Sequence, residues 1–145
     1  MKFLHAADLH LDRSFEGLTK VPEGFQQELT AANQKMLQNI VNAAIDQAVD
    51  FILLAGDTFH QNRPTLKTQR YFFQEMGRLT EAQIPVFMNF GNHDFYQADR
   101  YWFAFPENIQ LFVDEQVETK QLVTKAGEQI AITTLSYKHP TIESE

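Results

Sequence analysis

The stretch Ile84-Pro85-Val86-Phe87-Met88-Asn89-Phe90-Gly91-Asn92-His93-Asp94 decides how the rest of the chain is read. Ile84 to Asn89 reads as a buried strand, and Gly91-Asn92-His93-Asp94 then brings a metal ligand and a titratable imidazole to the point where strand becomes loop. Open α/β sheets carry their chemistry at such strand ends. Average residue usage gives this four-residue string by accident less than roughly once in a thousand chains of this length.

Two earlier apolar runs end the same way. Lys2 to Ala7 reads as a strand ending at Asp8-Leu9-His10, and Phe51 to Ala55 as a strand ending at Gly56-Asp57. Between them Leu29, Met36, Ile40, Ala44, Ile45 and Ala48 recur at helical spacing, which predicts an amphipathic helix over Gln26 to Val49. Pro64-Thr65 starts a second helix that Leu66, Phe72, Phe73, Met76 and Leu79 carry to Glu81. The order strand, helix, strand, helix, strand predicts an α/β fold with parallel neighbours joined by crossovers. Downstream, the sequence predicts a helical turn over Asp99 to Phe105 and a strand over Asn108 to Val113. It then predicts a β-hairpin from Val117 to Thr124 and Gln129 to Tyr137. Asp12 to Gly24 reads as a polar loop beside the strand ends.

With 145 residues, 43% of them hydrophobic and 13 of them Phe, the chain fits one packed globular domain. It contains no cysteine, so disulfides and thiolate metal sites are excluded and any metal takes carboxylate, imidazole, amide or water ligands. The first residues are too short and too soon polar for a signal peptide or membrane span, which makes a cytoplasmic location the default expectation. A net charge of −7 is unusual for a nucleic-acid binder. Carboxylates gathered around divalent cations nevertheless present positive charge to a phosphate once loaded.

On parallel neighbouring strands the three loops meet on one rim. Asp8 and His10, two residues apart on extended backbone, point to the same side and reach one cation. Asp57 has two carboxylate oxygens and can bridge two cations. Asn92 offers a neutral carbonyl oxygen, which adds no charge to an anionic cluster. His93 is an imidazole for the substrate, with Asp94 accepting its other ring proton. Two cations about 3.5 to 4 Å apart would activate water and clamp the reacting oxygens, so the expected chemistry is metal-assisted phosphoester hydrolysis. Arg13, Arg63 and Arg100 lie near the motifs, as phosphate contacts or as plain solvated charges. His5, inside the first strand, is expected to be packed, and His139 to be an ordinary surface or core histidine and not a ligand.

These motifs, Asp8-x-His10, Gly56-Asp57 and Gly91-Asn92-His93-Asp94 in this order, resemble the calcineurin-like metallophosphoesterase superfamily. Ala7-Asp8-Leu9-His10-Leu11, Gly56-Asp57-Thr58-Phe59-His60 with Arg63-Pro64, and Ile84-Pro85-Val86 before Gly91 are similar to its SbcD-type DNA repair nucleases, including the YhaO-like members. The resemblance implies an α/β/β/α sandwich of two mixed sheets with helices outside, of which this chain supplies the first sheet and part of the second. It implies metal ligation by Asp8, His10, Asp57 and Asn92, with His93 catalytic, and substrate positioning by His60; Asp94 as the partner of His93 and Arg13 as a substrate-binding phosphate contact rest on their positions beside the motifs alone. The implied cofactors are two divalent ions, Mn(II) foremost and Mg(II) as the substitute. The implied partners are DNA ends, an SMC-like coiled-coil ATPase, and a second copy of the chain docking through Leu66 to Met76 and Tyr101 to Phe105.

The aromatic run Tyr101 to Phe105 has three readings: core, dimer surface or base-stacking platform. Two other functions remain in view, a phosphoesterase for a small phosphomonoester or cyclic nucleotide, and a noncatalytic dimerisation or scaffold module. The family completes its site with a later His and a Gly-His-x-His motif, and after Asp94 the sequence has no such motif and only His139, followed by Pro140. The expectation is therefore an N-terminal part of the domain with about half the ligands, binding metal weakly and hydrolysing poorly.

Overall fold

The computed structural model describes residues 1–13 and 22–142. Four short strands form a wholly parallel sheet in the order β1 (Phe3–Ala6), β2 (Phe51–Ala55), β3 (Val86–Asn89) and β4 (Ile109–Leu111). Helix α1 (Phe25–Asp46) links the first pair and α2 (Leu66–Glu81) the second, as the alternating periodicity predicts. A 3₁₀ turn at Ala98–Arg100 replaces the longer aromatic helical turn expected there. The hairpin β5 (Glu118–Val123) and β6 (Gln129–Thr134) forms a separate antiparallel sheet, so each sheet is of a single kind. Of the loop expected over 12–24, residues 14–21 lie outside the described residues.

Strand alternation sends residues to two different covers. Ile52, Leu54, Val86 and Met88 meet Leu37, Val41 and Ala44 of α1 and Phe72, Met76 and Leu79 of α2 in the main core. Phe51, Phe87 and Phe112 point the other way, where Leu122, Ile130 and Ile132 of the hairpin cover them. The result is three layers: helices, parallel sheet, hairpin. His5 shares the hairpin-side face with Phe3, beyond the hairpin's cover, and is exposed where packing was expected. Phe3 itself stacks on Phe51, with ring centroids 5.1 Å apart.

Both helices stop without glycine. Ala48 (φ 47°) and Gln83 (φ 56°) take the left-handed conformation. The Val49 N–H then reaches back to the Ala44 carbonyl at 3.1 Å and the Ile84 N–H to that of Leu79 at 2.9 Å, the Schellman pattern. Helix α1 therefore ends before the predicted Val49. Thr65 caps α2 as its sequence position predicts, accepting from the Thr68 N–H at 3.2 Å.

The second layer is tied in near the end of β3. The Phe90 N–H donates to Ser136 Oγ at 2.6 Å, Asn89 Nδ2 to the Leu135 carbonyl at 2.9 Å, and the Tyr137 N–H to the Phe90 carbonyl at 3.1 Å. These bonds fix the strand end that leads into Gly91.

Candidate metal centre

Because β1, β2 and β3 are parallel neighbours, Asp8, Asp57 and Asn92 all follow the C-terminal ends of their strands and share one rim. The first two loops continue pairing past the sheet. The Asp8 N–H donates to the Gly56 carbonyl at 3.2 Å, that of His10 to Asp57 at 3.0 Å, and that of Leu11 to Thr58 at 3.0 Å. Within this ribbon Asp8 (φ 54°), His10 (φ 45°) and Asp57 (φ 48°) are all left-handed. Non-glycine residues pay about 1–2 kcal/mol for that conformation, and here it concentrates on three candidate ligands.

One potential ligand atom each from Asp8, His10 and Asp57 lies within 4.8 Å of the others. Two carboxylates and one imidazole suit a hard or borderline divalent cation. The third loop leaves space for this group by lacking a side chain: a Cβ on Gly91 would sit 2.2 Å from Asp57 Oδ1. A donor set with a glycine-shaped cradle behind it fits a bound metal. Burial holds the His10 imidazole below the ordinary histidine value; His60 and His93 act in the same direction, and Asp57 and Asp8 oppose. A lowered value favours the neutral ring that ligates cations.

His93 is exposed, and its backbone N–H donates to Asp57 Oδ1 at 3.0 Å. Its ring stacks on that of His60 with centroids 5.0 Å apart and meets that of His10 edge-on at 5.2 Å. His60 and His10 approach to 3.1 Å between their Nδ1 atoms. Three imidazoles thus stand together beside two carboxylates. Asn92 is exposed in the loop between Gly91, which abuts Asp57, and His93. Arg13 is exposed, joined to the site through its backbone N–H on the His10 carbonyl at 2.9 Å, and its guanidinium makes no ion pair among the described residues. His139 is elsewhere, its Nδ1 3.1 Å from Glu115.

Asp94 corrects an expectation. It is fully buried, and its hydrogen bonds run to backbone: Oδ1 accepts from the Gly91 N–H at 2.7 Å and the Asp57 N–H at 3.2 Å, Oδ2 from the Phe59 N–H at 3.2 Å. Among the described residues it makes no hydrogen bond to the His93 ring, because successive residues turn to opposite sides and His93 faces out. Asp94 instead staples the Gly56–Phe59 loop to the Gly91 loop. Burial pushes its carboxyl up to about 6, against the three backbone donors that favour the ionised form.

The segments expected to pair two copies divide between core and surface. Phe72 and Met76 are buried, while Leu66 is 55% and Trp102 75% exposed. Tyr101 is half-buried, packing on Phe59, Phe90, Tyr96 and Phe105. Sequence patterns gave no sign of Gln69, which is fully buried on α2. Its Nε2 donates to the carbonyls of Pro64 and Arg100, and its Oε1 accepts from the Trp102 N–H at 2.9 Å. It clamps the aromatic segment to the helix, and only its polarity at a core-facing position could have betrayed it.

A parallel α/β sheet whose strand-end loops gather two carboxylates and an imidazole on one rim presents a candidate metal centre. Residues 1–138 match the family model described as Calcineurin-like phosphoesterase, and the chain belongs to that family. It is 37% identical over 131 residues to "Uncharacterized metallophosphoesterase YhaO" of Bacillus subtilis, covering 90% of this chain and 32% of that protein. It is 29% identical over 143 residues to SbcD of the nuclease SbcCD from the same organism, covering 94% of this chain and 34% of the relative. "DNA double-strand break repair protein Mre11" of Archaeoglobus fulgidus is 33% identical over 94 residues, covering 65% of this chain and 19% of its own length. The chain thus spans about a third or less of these relatives. No helix among the described residues is long and apolar enough to cross a membrane.

Proposed function

We propose that the protein serves metal-dependent hydrolysis of phosphodiester bonds in DNA. The convergence of Asp8, His10 and Asp57 with the exposed His93 ring carries the reading. Asp8, His10 and Asp57 would hold one divalent cation, and Asp57 with Asn92 would serve a second, Mn(II) being the ion proposed and Mg(II) the substitute. When bound, such ions supply an activated water and neutralise charge on the phosphate.

The chain's own groups do the rest. His10 stays neutral under burial and keeps a lone pair for ligation. Asp57 accepts the His93 N–H, which fixes the loop presenting the exposed imidazole. That ring donates a hydrogen bond or a proton to the leaving oxygen. His60, stacked on it, and Arg13 at the rim position the phosphate. Asp94 acts from below by holding the Asp57 and Gly91 loops in register.

The relatives named as part of a nuclease and as a break-repair protein support DNA as substrate. An SMC-like ATPase partner and a cytoplasmic setting belong to the same proposal. The exposed Leu66 and Trp102 on a clamped surface support pairing of two copies through α2 and the aromatic segment. The test compares, in the intact gene product, Mn(II)-dependent degradation of linear DNA with hydrolysis of a chromogenic phosphodiester, in the wild type and in His93→Ala. We expect DNA cleavage that falls 10²–10⁴-fold in the variant, the usual worth of a general acid, with the fold intact. Turnover of the small ester alone would replace DNA with a small phosphodiester, and unchanged cleavage by His93→Ala would remove that residue from the mechanism.

A further inference from the structure

Resting on the metal reading above, we propose that His60 is a positioning residue for His10: its Nδ1 accepts the His10 Nδ1–H and so keeps the His10 Nε2 lone pair facing the carboxylates. The two rings meet edge to face at 65°, with the two Nδ1 atoms 3.1 Å apart, a hydrogen-bond distance. The opposite ring nitrogen of His10, Nε2, is the one near Asp8, 3.9 Å from its Oδ1. A neutral imidazole donates from one nitrogen and accepts at the other, so the contact has two arrangements.

If His60 donates, His10 Nδ1 is the acceptor and its proton sits on Nε2, aimed at the carboxylates and closing the position to a cation. If His10 donates, its Nε2 lone pair is free, and His60 carries its own proton on Nε2. A cation among Asp8, His10 and Asp57 selects the second arrangement. His60 then does what carboxylates and carbonyls do for many ligating histidines: it fixes tautomer and ring orientation. It also keeps a donor N–H for an anionic oxygen at the rim.

His60 is itself anchored from outside the cluster. Its backbone N–H donates to Asp12 Oδ1 at 2.5 Å, and its ring lies against His93. Asp12 follows the Asp8-x-His10 motif by two residues, so the loop that supplies His10 also holds the backbone of the residue that orients it.

Two variants separate this role from mere packing. His60→Leu fills the space without an acceptor, whereas His60→Asn places an acceptor oxygen where Nδ1 stood. Affinity for Mn(II), read from the electron paramagnetic resonance of free ion, should fall 10- to 100-fold in the Leu variant and stay within about threefold of wild type in the Asn variant. Equal affinity in all three proteins, or equal loss in both variants, overturns the proposal. Wild-type protein that binds no Mn(II) overturns the metal reading and this inference together. Ring ¹⁵N resonances of the unmutated protein with Zn(II) give a check that needs no variant. We expect protons on His10 Nδ1 and His60 Nε2, and a proton on His60 Nδ1 refutes the assignment.

Discussion

Gly91→Ala isolates the geometric demand of the site. Gly91 is absent from the positive-φ residues, so alanine meets no backbone penalty there, and Gly→Ala at a compatible position ordinarily stabilises by about 0.4–1 kcal/mol. Here the new Cβ would lie 2.2 Å from Asp57 Oδ1, 2.7 Å from its Cγ and 2.9 Å from its backbone N. The carboxylate must retreat by about 1 Å to reach ordinary contact, and the backbone atom prevents a side-chain rotation from relieving everything. Retreat breaks the His93 N–H bond to Asp57 Oδ1 and loosens the Asp57 N–H bond to Asp94. Overpacking costs about 1–3 kcal/mol and a lost bond to a charged group about 1.5–3, so a net loss of about 3–5 kcal/mol is expected. Urea unfolding followed by circular dichroism measures it, and Mn(II) titration should show the site weakened as well. A variant as stable as wild type with unchanged Mn(II) affinity would refute the cradle.

Other substitutions probe the staple and the helix ends. Asp94→Asn leaves the Phe59 N–H facing an amide NH₂ and should destabilise by about 1–3 kcal/mol. Its pH dependence has a definite sign. The folded-state value of about 6 lies above 3.8, so folded protein binds the extra proton, and this contribution is complete below pH 3.8 and lost as pH rises through 6. The loss amounts to about 3 kcal/mol, as large as the gap itself, so with a chelator present the gap between wild type and Asp94→Asn should close or reverse from pH 4 to 7. A widening gap would mean that the three backbone donors outweigh burial. Ala48→Gly and Gln83→Gly should each stabilise by about 0.5–1 kcal/mol in urea melts, since glycine adopts the left-handed cap without the Cβ penalty.

How much of this was legible in the sequence follows from which contacts are local. The apolar runs fix β2 and β3 because a central parallel strand is buried on both faces, and Thr65 announces α2 because capping is read within one turn. Once the strands are parallel, Asp8, His10, Asp57 and His93 are bound to share a rim, which is why these positions could be named in advance. The ends of the helices were less legible, because Ala48 and Gln83 cap in a conformation that usually advertises itself with glycine. The role of Asp94 was misread because adjacency in sequence suggested a partner for His93, whereas the turn sends the two side chains to opposite sides. The exposure of His5, where packing was expected, depends on how far the hairpin extends over the sheet, a long-range fact that the alternation within β1 does not contain. The approach of His10 to His60 likewise joins two loops fifty positions apart in the chain.

The rim of this sheet is expected to hold metal through Asp8, His10 and Asp57. Anomalous diffraction from a crystal equilibrated with Mn(II), collected near the manganese absorption edge, tests it most directly. The expected result is a manganese peak enclosed by these three side chains, with His10 engaged through Nε2. A crystal saturated with Mn(II) whose anomalous peaks lie elsewhere, with these three side chains bearing none, would contradict it.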